Sequence, residues 1–219
     1  MKKIGSRKLK LVLLLIALML VIMTGCTAEN PTKKNAAEPD PGSDRVLSDG
    51  TATEQDAFNT DPVPEGKPMP VEPGTKKIDE KKKETCTIMI ECSTILQNMD
   101  ELTPGKEEVV PEDGIILPVT EVEFSKGESV FDVLQRVCRE NKIHMESSFT
   151  PLYNSAYIEG INNLYEFDCG SLSGWMYSVN GWYPNYGCSR YELEKGDVIE
   201  WHYTCDLGYD VGGGYAVGE

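Results

Sequence analysis

The residues best suited to bind a ligand lie in one short stretch, residues 174–187, with the sequence GWMYSVNGWYPNYG. The stretch contains two of the chain's three tryptophans and three of its ten tyrosines. Aromatic rings with polar tips can cover a flat, partly apolar ligand, and their hydroxyl and indole groups can hydrogen-bond to its edge. The same rings would also fill the core of a small domain. Their density therefore indicates either a ligand platform or an aromatic core.

The pair Asn180-Gly181 predicts a tight β-hairpin turn in the middle of this stretch, since both residues tolerate the positive φ that a type I′ turn requires. The predicted cross-strand pairs are Val179 with Trp182, Ser178 with Tyr183, and Tyr177 with Pro184. One face would present Trp175, Tyr177, Val179, Trp182 and Pro184, and the other would present Met176, Ser178 and Tyr183. Because both faces are apolar or aromatic, we expect one to pack on the core and the other to be covered by a loop or available to a ligand.

Seven cysteines offer a second kind of chemistry. Apart from Cys26, all lie in the C-terminal part of the chain: Cys86, Cys92, Cys138, Cys169, Cys188 and Cys205. An even set in one exported domain predicts up to three disulfides, and the fifteen connectivities of six cysteines stay open at this point. No CxxC pair is present, so we predict no zinc site.

Catalytic groups are sparse. The chain has two histidines, His144 and His202, and neither lies beside a serine or cysteine nucleophile with a third residue to orient it. Ser171 and Ser173 lie near Asp168, but that loop has no histidine. We therefore expect a protein that is not an enzyme.

The N-terminus indicates export. Residues 1–10 carry five cations, and the apolar run at 11–23 is short for a membrane span, as is typical of a secretory signal. Thr24 and Gly25 precede Cys26, the layout at which bacterial lipoprotein signals are cut. We predict a signal peptide at 1–25 and a lipidated Cys26 that anchors the protein to the outside of the cell membrane. A plain signal peptide and a retained membrane anchor are the alternatives.

Charge limits the partners. The formal net charge is −15, and removal of the five signal-peptide cations would take it to about −20. Such a surface repels nucleic acid and anionic headgroups, so we expect no nucleic-acid partner.

Composition divides the rest of the chain into three parts. Residues 26–85 hold eight of the thirteen prolines and many charges of both signs, which predicts a disordered tether. Residues 86–206 have the aromatic content and size of one globular domain. Residues 207–219 are Gly-rich, and we expect a flexible tail.

The domain's elements follow from hydrophobic periodicity. Residues 86–92 alternate as a half-buried strand, residues 115–124 predict an edge strand because they contain Pro118, and 198–205 predict a last strand. Between them, Ser129 caps a helix whose apolar residues include Val130 and Leu134. One helix among about six short strands indicates an α+β fold, and a β-grasp-like arrangement is the expected topology.

Residues 157–204 resemble the C-terminal domain of transcobalamin and intrinsic factor, which also occurs in bacterial surface proteins as a domain of unknown function. The matching pieces are Tyr157-Ile158 with Ile161 and Leu164, Gly174-Trp175-Met176-Tyr177, Val179-Asn180-Gly181, Gly187, Tyr191, and Gly196-Asp197-Val198-Ile199-Glu200. With the helix GESVFDVL upstream, the resemblance covers about residues 86–206.

The resemblance implies a ligand. In the vertebrate carriers this small domain closes over one face of cobalamin, and a large helical barrel, for which this sequence has no counterpart, supplies the other contacts. By motif position, the residues near the corrin would be Trp175, Met176, Tyr177, Val179 and Asn180. From the predicted hairpin, and not from the resemblance, we add Trp182 and Tyr183 to the same surface. The expected function is a surface lipoprotein that binds cobalamin or a related corrinoid, and the alternative is an adhesion or envelope-assembly module that binds protein or polysaccharide through the same hairpin.

Overall fold

The structure, a computed structural model, describes residues 63–214. The predicted signal peptide, the lipidated Cys26 and the first part of the tether lie outside the described residues. The strands are β1 (Asp79–Glu91), β2 (Ile115–Lys126), β3 (Met145–Thr150), β4 (Ser155–Ile161), β5 (Leu164–Tyr165), β6 (Gly174–Val179) and β7 (Val198–Thr204), and the helix is α1 (Val130–Asn141). Among residues 63–214, no helix has the length and hydrophobicity needed to cross a membrane.

Two sheets organise the domain. The larger has the order β2-β1-β7-β6, in which β1 and β7 are parallel and the other neighbours are antiparallel. The smaller is antiparallel, with the order β3-β4-β5. A first hairpin, a helix and a last strand that pairs with the first one make up a β-grasp arrangement. The predicted α+β class is confirmed.

The core forms where the sequence periodicity predicts it. On β1, Cys86, Ile88 and Ile90 are buried in one cluster with the apolar side of α1. The helix begins at a complete capping box, because the Ser129 hydroxyl accepts from the Asp132 backbone N–H and the Asp132 carboxylate accepts from the Ser129 N–H at 2.7 Å. These local signals place α1 against the larger sheet.

The folded part of the chain begins before the expected boundary at residue 86. β1 starts at Asp79, and the preceding segment packs on the domain. Val71 is buried and donates its N–H to Arg190 O at 2.8 Å, and Pro68 O accepts from the Tyr186 hydroxyl at 2.7 Å. Composition reflects only the apolar residues of the segment itself. Here the segment packs on apolar surface that the domain supplies, so it is ordered although it has few apolar residues of its own.

The C-terminal segment also differs from its expected flexibility. Residues 205–214 turn back over the sheet, with a short 3-10 helix at Tyr209–Val211. The N–H of Leu207 donates to Leu172 O at 3.0 Å, and Gly213 N donates to Gly208 O at 2.7 Å. Gly208 allows the C-terminal segment to pack closely on β6, because a Cβ at this position would lie 2.4 Å from the Met176 sulfur.

Candidate functional site

The Asn180-Gly181 turn forms as predicted. Both residues have positive φ, 53° and 73°, and Val179 and Trp182 exchange backbone hydrogen bonds of 2.8 and 3.0 Å. The side chain of Asn180 is engaged within the domain: its Nδ2 donates to Asp197 at 2.8 Å, and its Oδ1 accepts from the Val198 N–H at 3.0 Å. Asn180 therefore joins this turn to the turn before β7.

The second arm of the predicted hairpin does not continue. Val179 and Trp182 form an isolated bridge, and the predicted pairs of Ser178 with Tyr183 and Tyr177 with Pro184 do not appear. Because Pro184 has no N–H to donate, the chain leaves the sheet after the turn. β6 pairs with β7 instead and forms the edge of the larger sheet.

One face of β6 and the turn packs on the core, as predicted. Val179 is 1% exposed and Trp182 is 7% exposed. The Trp182 ring lies 5.9 Å from the Tyr186 ring and 6.5 Å from the Tyr191 ring. The ammonium of Lys67 covers the Trp182 ring at 5.2 Å, so the N-terminal segment closes over this cluster.

The opposite face is covered by the C-terminal segment. Tyr183 donates its hydroxyl hydrogen bond to Val211 O at 2.7 Å, and its ring lies against Gly213. Met176 lies under Gly208. Of the two expected alternatives for this face, a covering segment is the one found.

A cavity of about 170 Å³ opens beside the core face, between β6 of the larger sheet and β4 of the smaller one. Its lining residues are Ala156, Tyr157, Ile158, Trp175, Met176, Tyr177, Pro184, Gly187, Cys188 and Trp201. The rings of Tyr177 and Trp201 are 5.5 Å apart, and the Tyr177 hydroxyl is fixed by donation to Tyr186 O at 2.8 Å. The cavity thus has a rigid aromatic wall.

The two strand edges that border this cavity carry unpaired backbone groups. Val179 uses its N–H and C=O for Trp182, on the side away from β7. In an antiparallel ladder alternate residues point the same way, so Tyr177 and Trp175 also direct their N–H and C=O groups away from β7, toward β4.

The facing edge belongs to β4. There the Ala156 N–H donates to Ser189 Oγ at 2.9 Å, and Ile158, two residues along the strand, has the same orientation. In the part of the chain that the structure describes, the N–H groups of Ile158, Trp175 and Tyr177 have no hydrogen-bond partner across this gap.

One residue that lines the cavity also has an unpaired side-chain donor. The indole Nε1 of Trp201 is buried and donates no hydrogen bond within residues 63–214. By contrast, the indole of Trp175 donates to Leu164 O at 2.8 Å. A buried donor without a partner costs about 1–3 kcal/mol.

The cavity is electrically neutral. None of its ten lining residues is an acid, a lysine, an arginine or a histidine. Burial raises the pKa of Tyr177 well above its usual range and that of Cys188 to about 12, so both stay protonated at neutral pH. Such a site suits an uncharged ligand.

The predicted site residues are therefore divided among several environments. Three of them line the cavity: Trp175, Met176 and Tyr177. Four lie elsewhere: Val179 and Trp182 in the core, Asn180 at the turn, and Tyr183 under the C-terminal segment. The β4 residues that line the cavity, Ala156, Tyr157 and Ile158, were not predicted, because no local sequence signal shows which strand lies beside β6.

The described residues include all six cysteines of the domain and the other side chains that could ligate a metal ion. Within 63–214, no group of three or more ligating side chains is arranged to hold a metal ion. All six cysteines of the domain are free thiols in the structure. Burial raises the pKa of Cys86, Cys92, Cys138 and Cys169 to about 12, so these thiols are protonated at neutral pH.

Residues 127–205 match the family model of a domain of unknown function, DUF4430. The match lies within residues 86–206, for which the motifs indicated a domain of unknown function. Haptocorrin in complex with Cbi is a similar solved structure, with 13% identity and a TM-score of 0.43, over 60% of this chain and 27% of haptocorrin. A proposed metal-binding protein from Ruminococcus gnavus has 15% identity and a TM-score of 0.33, over 55% of this chain and 96% of its own. The chain thus spans about a quarter of haptocorrin. No curated protein sequence matches the chain.

Proposed function

We propose that this protein is a non-catalytic lipoprotein, anchored through Cys26 outside the cell membrane, that binds an uncharged ligand in the cavity between β4 and β6. The observation that supports this proposal is one neutral aromatic cavity whose two bordering strand edges have backbone N–H groups without a partner across the gap. A ligand that presents carbonyl oxygens would satisfy them. The absence of acids and bases from the lining residues favours binding over catalysis.

The size of the cavity limits how a ligand can enter. Pockets that enclose a whole cofactor or drug-sized molecule have volumes of roughly 300–1,000 Å³. A cavity of about 170 Å³ admits one peripheral group, while the rest of the ligand would lie across the mouth, where Tyr157 is 46% exposed. A corrinoid fits this description because it is broad, flat and edged with carboxamides, and cobalamin or a related corrinoid is our leading candidate.

Titration with cobalamin and cobinamide, followed by tryptophan fluorescence, tests the proposal. We expect saturable quenching, since Trp175 and Trp201 line the cavity. Tyr157→Ala should weaken binding at least about tenfold, the effect of losing roughly 1.4 kcal/mol of contact. Tyr153→Ala is the matched control, because Tyr153 is similarly exposed but does not line the cavity. No fluorescence change at millimolar corrinoid would reject direct binding.

A second function is favoured by a separate observation. The loops around β6 present three exposed apolar side chains, those of Phe167, Leu172 and Leu207. Backbone hydrogen bonds bring these loops together, since the N–H of Phe167 donates to Ser173 O and that of Leu207 donates to Leu172 O, each at 3.0 Å. Such a surface suits an adhesion or envelope-assembly partner. Leu172→Ser would then reduce association with purified cell envelopes and leave the corrinoid titration unchanged.

A further inference from the structure

A second, smaller core contains three of the domain's cysteines. Cys92 and Cys169 are buried there with Leu102 and Tyr203, and Cys205 packs against the cluster. Cys169 belongs to the loop between β5 and β6, and Cys205 directly follows β7. The fold therefore brings together thiols that are far apart in the sequence.

Two of these thiols contact the same short turn. The Sγ of Cys169 donates to Asn98 O at 3.3 Å, and the Sγ of Cys205 donates to Thr94 Oγ1 at 3.7 Å. The turn is held together because Asn98 Nδ2 donates to Thr94 O at 2.8 Å. Cys169 and Cys205 therefore lie beside the same turn.

The backbone around both cysteines is fixed as well. The Cys169 N–H donates to Ser173 Oγ at 3.0 Å. The β6–β7 register sets Gly174 opposite Thr204, so Ser173 is the residue across from Cys205. Two thiols held beside one turn by ordered backbone need little movement to bond.

A disulfide that includes Cys92, or a metal ion bound by the thiols, accounts less well for this arrangement of cysteines. Cys92 is fully buried and lies in the same cluster, but Cys205 is partly exposed and can meet an oxidant in solution. No metal-binding group of three or more side chains exists among the residues described.

We propose that Cys169 and Cys205 form a disulfide when the protein meets a disulfide oxidant, such as oxidised glutathione or a thiol–disulfide oxidoreductase. The Cys205 thiolate attacks the oxidant's disulfide and forms a mixed disulfide, with one oxidant thiol released. The Cys169 thiolate then displaces the second oxidant thiol and forms the Sγ–Sγ bond. Two protons leave the protein thiols, and the two electrons reduce the oxidant's disulfide to two thiols.

The bond would stabilise the two loops that hold these cysteines. Phe167 and Leu207 have positive φ, 67° and 46°, which is unfavourable for residues with a Cβ. They flank Cys169 and Cys205 respectively. The disulfide closes a loop of about 37 residues, for which chain-entropy arguments and the size of the domain predict a rise in melting temperature of about 10 °C.

Mass spectrometry of the full chain tests the pairing. The reduced protein is incubated with oxidised glutathione, free thiols are blocked with N-ethylmaleimide in denaturant so that buried cysteines also react, and non-reducing peptide maps are compared. We expect one cross-linked peptide pair that joins Cys169 to Cys205, with Cys86, Cys138 and Cys188 alkylated. Recovery of Cys169 and Cys205 as alkylated thiols, or of a Cys92–Cys205 link in their place, would overturn the proposal.

Thermal melts provide a second readout. The melting temperature of oxidised minus reduced protein should be about 10 °C in the wild type and zero in Cys205→Ser. Cys138→Ala is the matched control, since Cys138 is buried in the other core and should keep the full difference. A difference that persists in Cys205→Ser would contradict the proposal, and the peptide map of the wild-type protein remains decisive if that variant does not fold.

Discussion

Glu72→Ala is expected to lower the free energy of unfolding by about 4 kcal/mol, although residue 72 lies in a segment that the composition assigns to a tether. The Glu72 carboxylate accepts from Arg190 Nη2 at 2.8 Å, and the Arg190 side chain is 1% exposed. Removal of the carboxylate takes a hydrogen-bonded charge partner from a buried guanidinium, and breaking a buried ion pair costs about 3–5 kcal/mol. For a domain of this size that corresponds to a fall in melting temperature of about 12 °C.

Thermal denaturation followed by circular dichroism measures the effect. Glu65→Ala is the matched control, since Glu65 is exposed in the same N-terminal segment. Glu72→Ala combined with Arg190→Met should recover most of the loss, because it removes both charges and leaves an apolar side chain of similar length. If Glu72→Ala melts within about 2 °C of Glu65→Ala, the segment does not form part of the fold as described.

Three further predictions concern acid stability, close packing and the helix cap. Burial by itself would raise the pKa of Glu91 and Asp132, but hydrogen bonds to the two carboxylates outweigh it, so the pKa of Glu91 lies below its usual 4.5 and that of Asp132 below its usual 3.8. The stability that these groups contribute is complete above about pH 5 and is lost as the pH falls through the lowered folded-state pKa values. Urea denaturation at several pH values will detect this loss. Gly187→Ala places a Cβ 1.8 Å from Ser155 Oγ and should cost about 1–3 kcal/mol in urea denaturation and narrow the cavity. Ser129→Ala removes the helix cap and should cost about 1 kcal/mol in the same assay.

Local patterns predicted three features of this fold. The alternation on β1, the capping box at Ser129 and the Asn180-Gly181 turn each depend on residues close in sequence, and each forms as expected. Pro118 lies in the edge strand β2, as its missing N–H suggests.

The candidate site depends on contacts that no local pattern encodes. β4 lies beside β6 because the segment after the turn approaches β4 closely at Gly187, where Ser155 and Ser189 are hydrogen-bonded at 3.0 Å. The two segments that cover Trp182 and Tyr183 come from opposite ends of the described chain. Their prolines, glycines and charges are typical of flexible linkers, so composition alone assigned them to a tether and a tail.

The three indole N–H resonances in a ¹⁵N–¹H correlation spectrum provide the most direct test of the proposed cavity. Trp201 has a buried, unpaired indole, while that of Trp175 already donates to Leu164 O. On addition of cobinamide, we expect the backbone amide resonances of Ile158 and Tyr177 to move downfield as their N–H groups gain acceptors. The Trp201 indole resonance, assigned with Trp201→Phe, should shift because the ligand binds beside a residue that lines the cavity. Saturating corrinoid that leaves these resonances unchanged, or shifts only those around Phe167, would contradict the proposed binding.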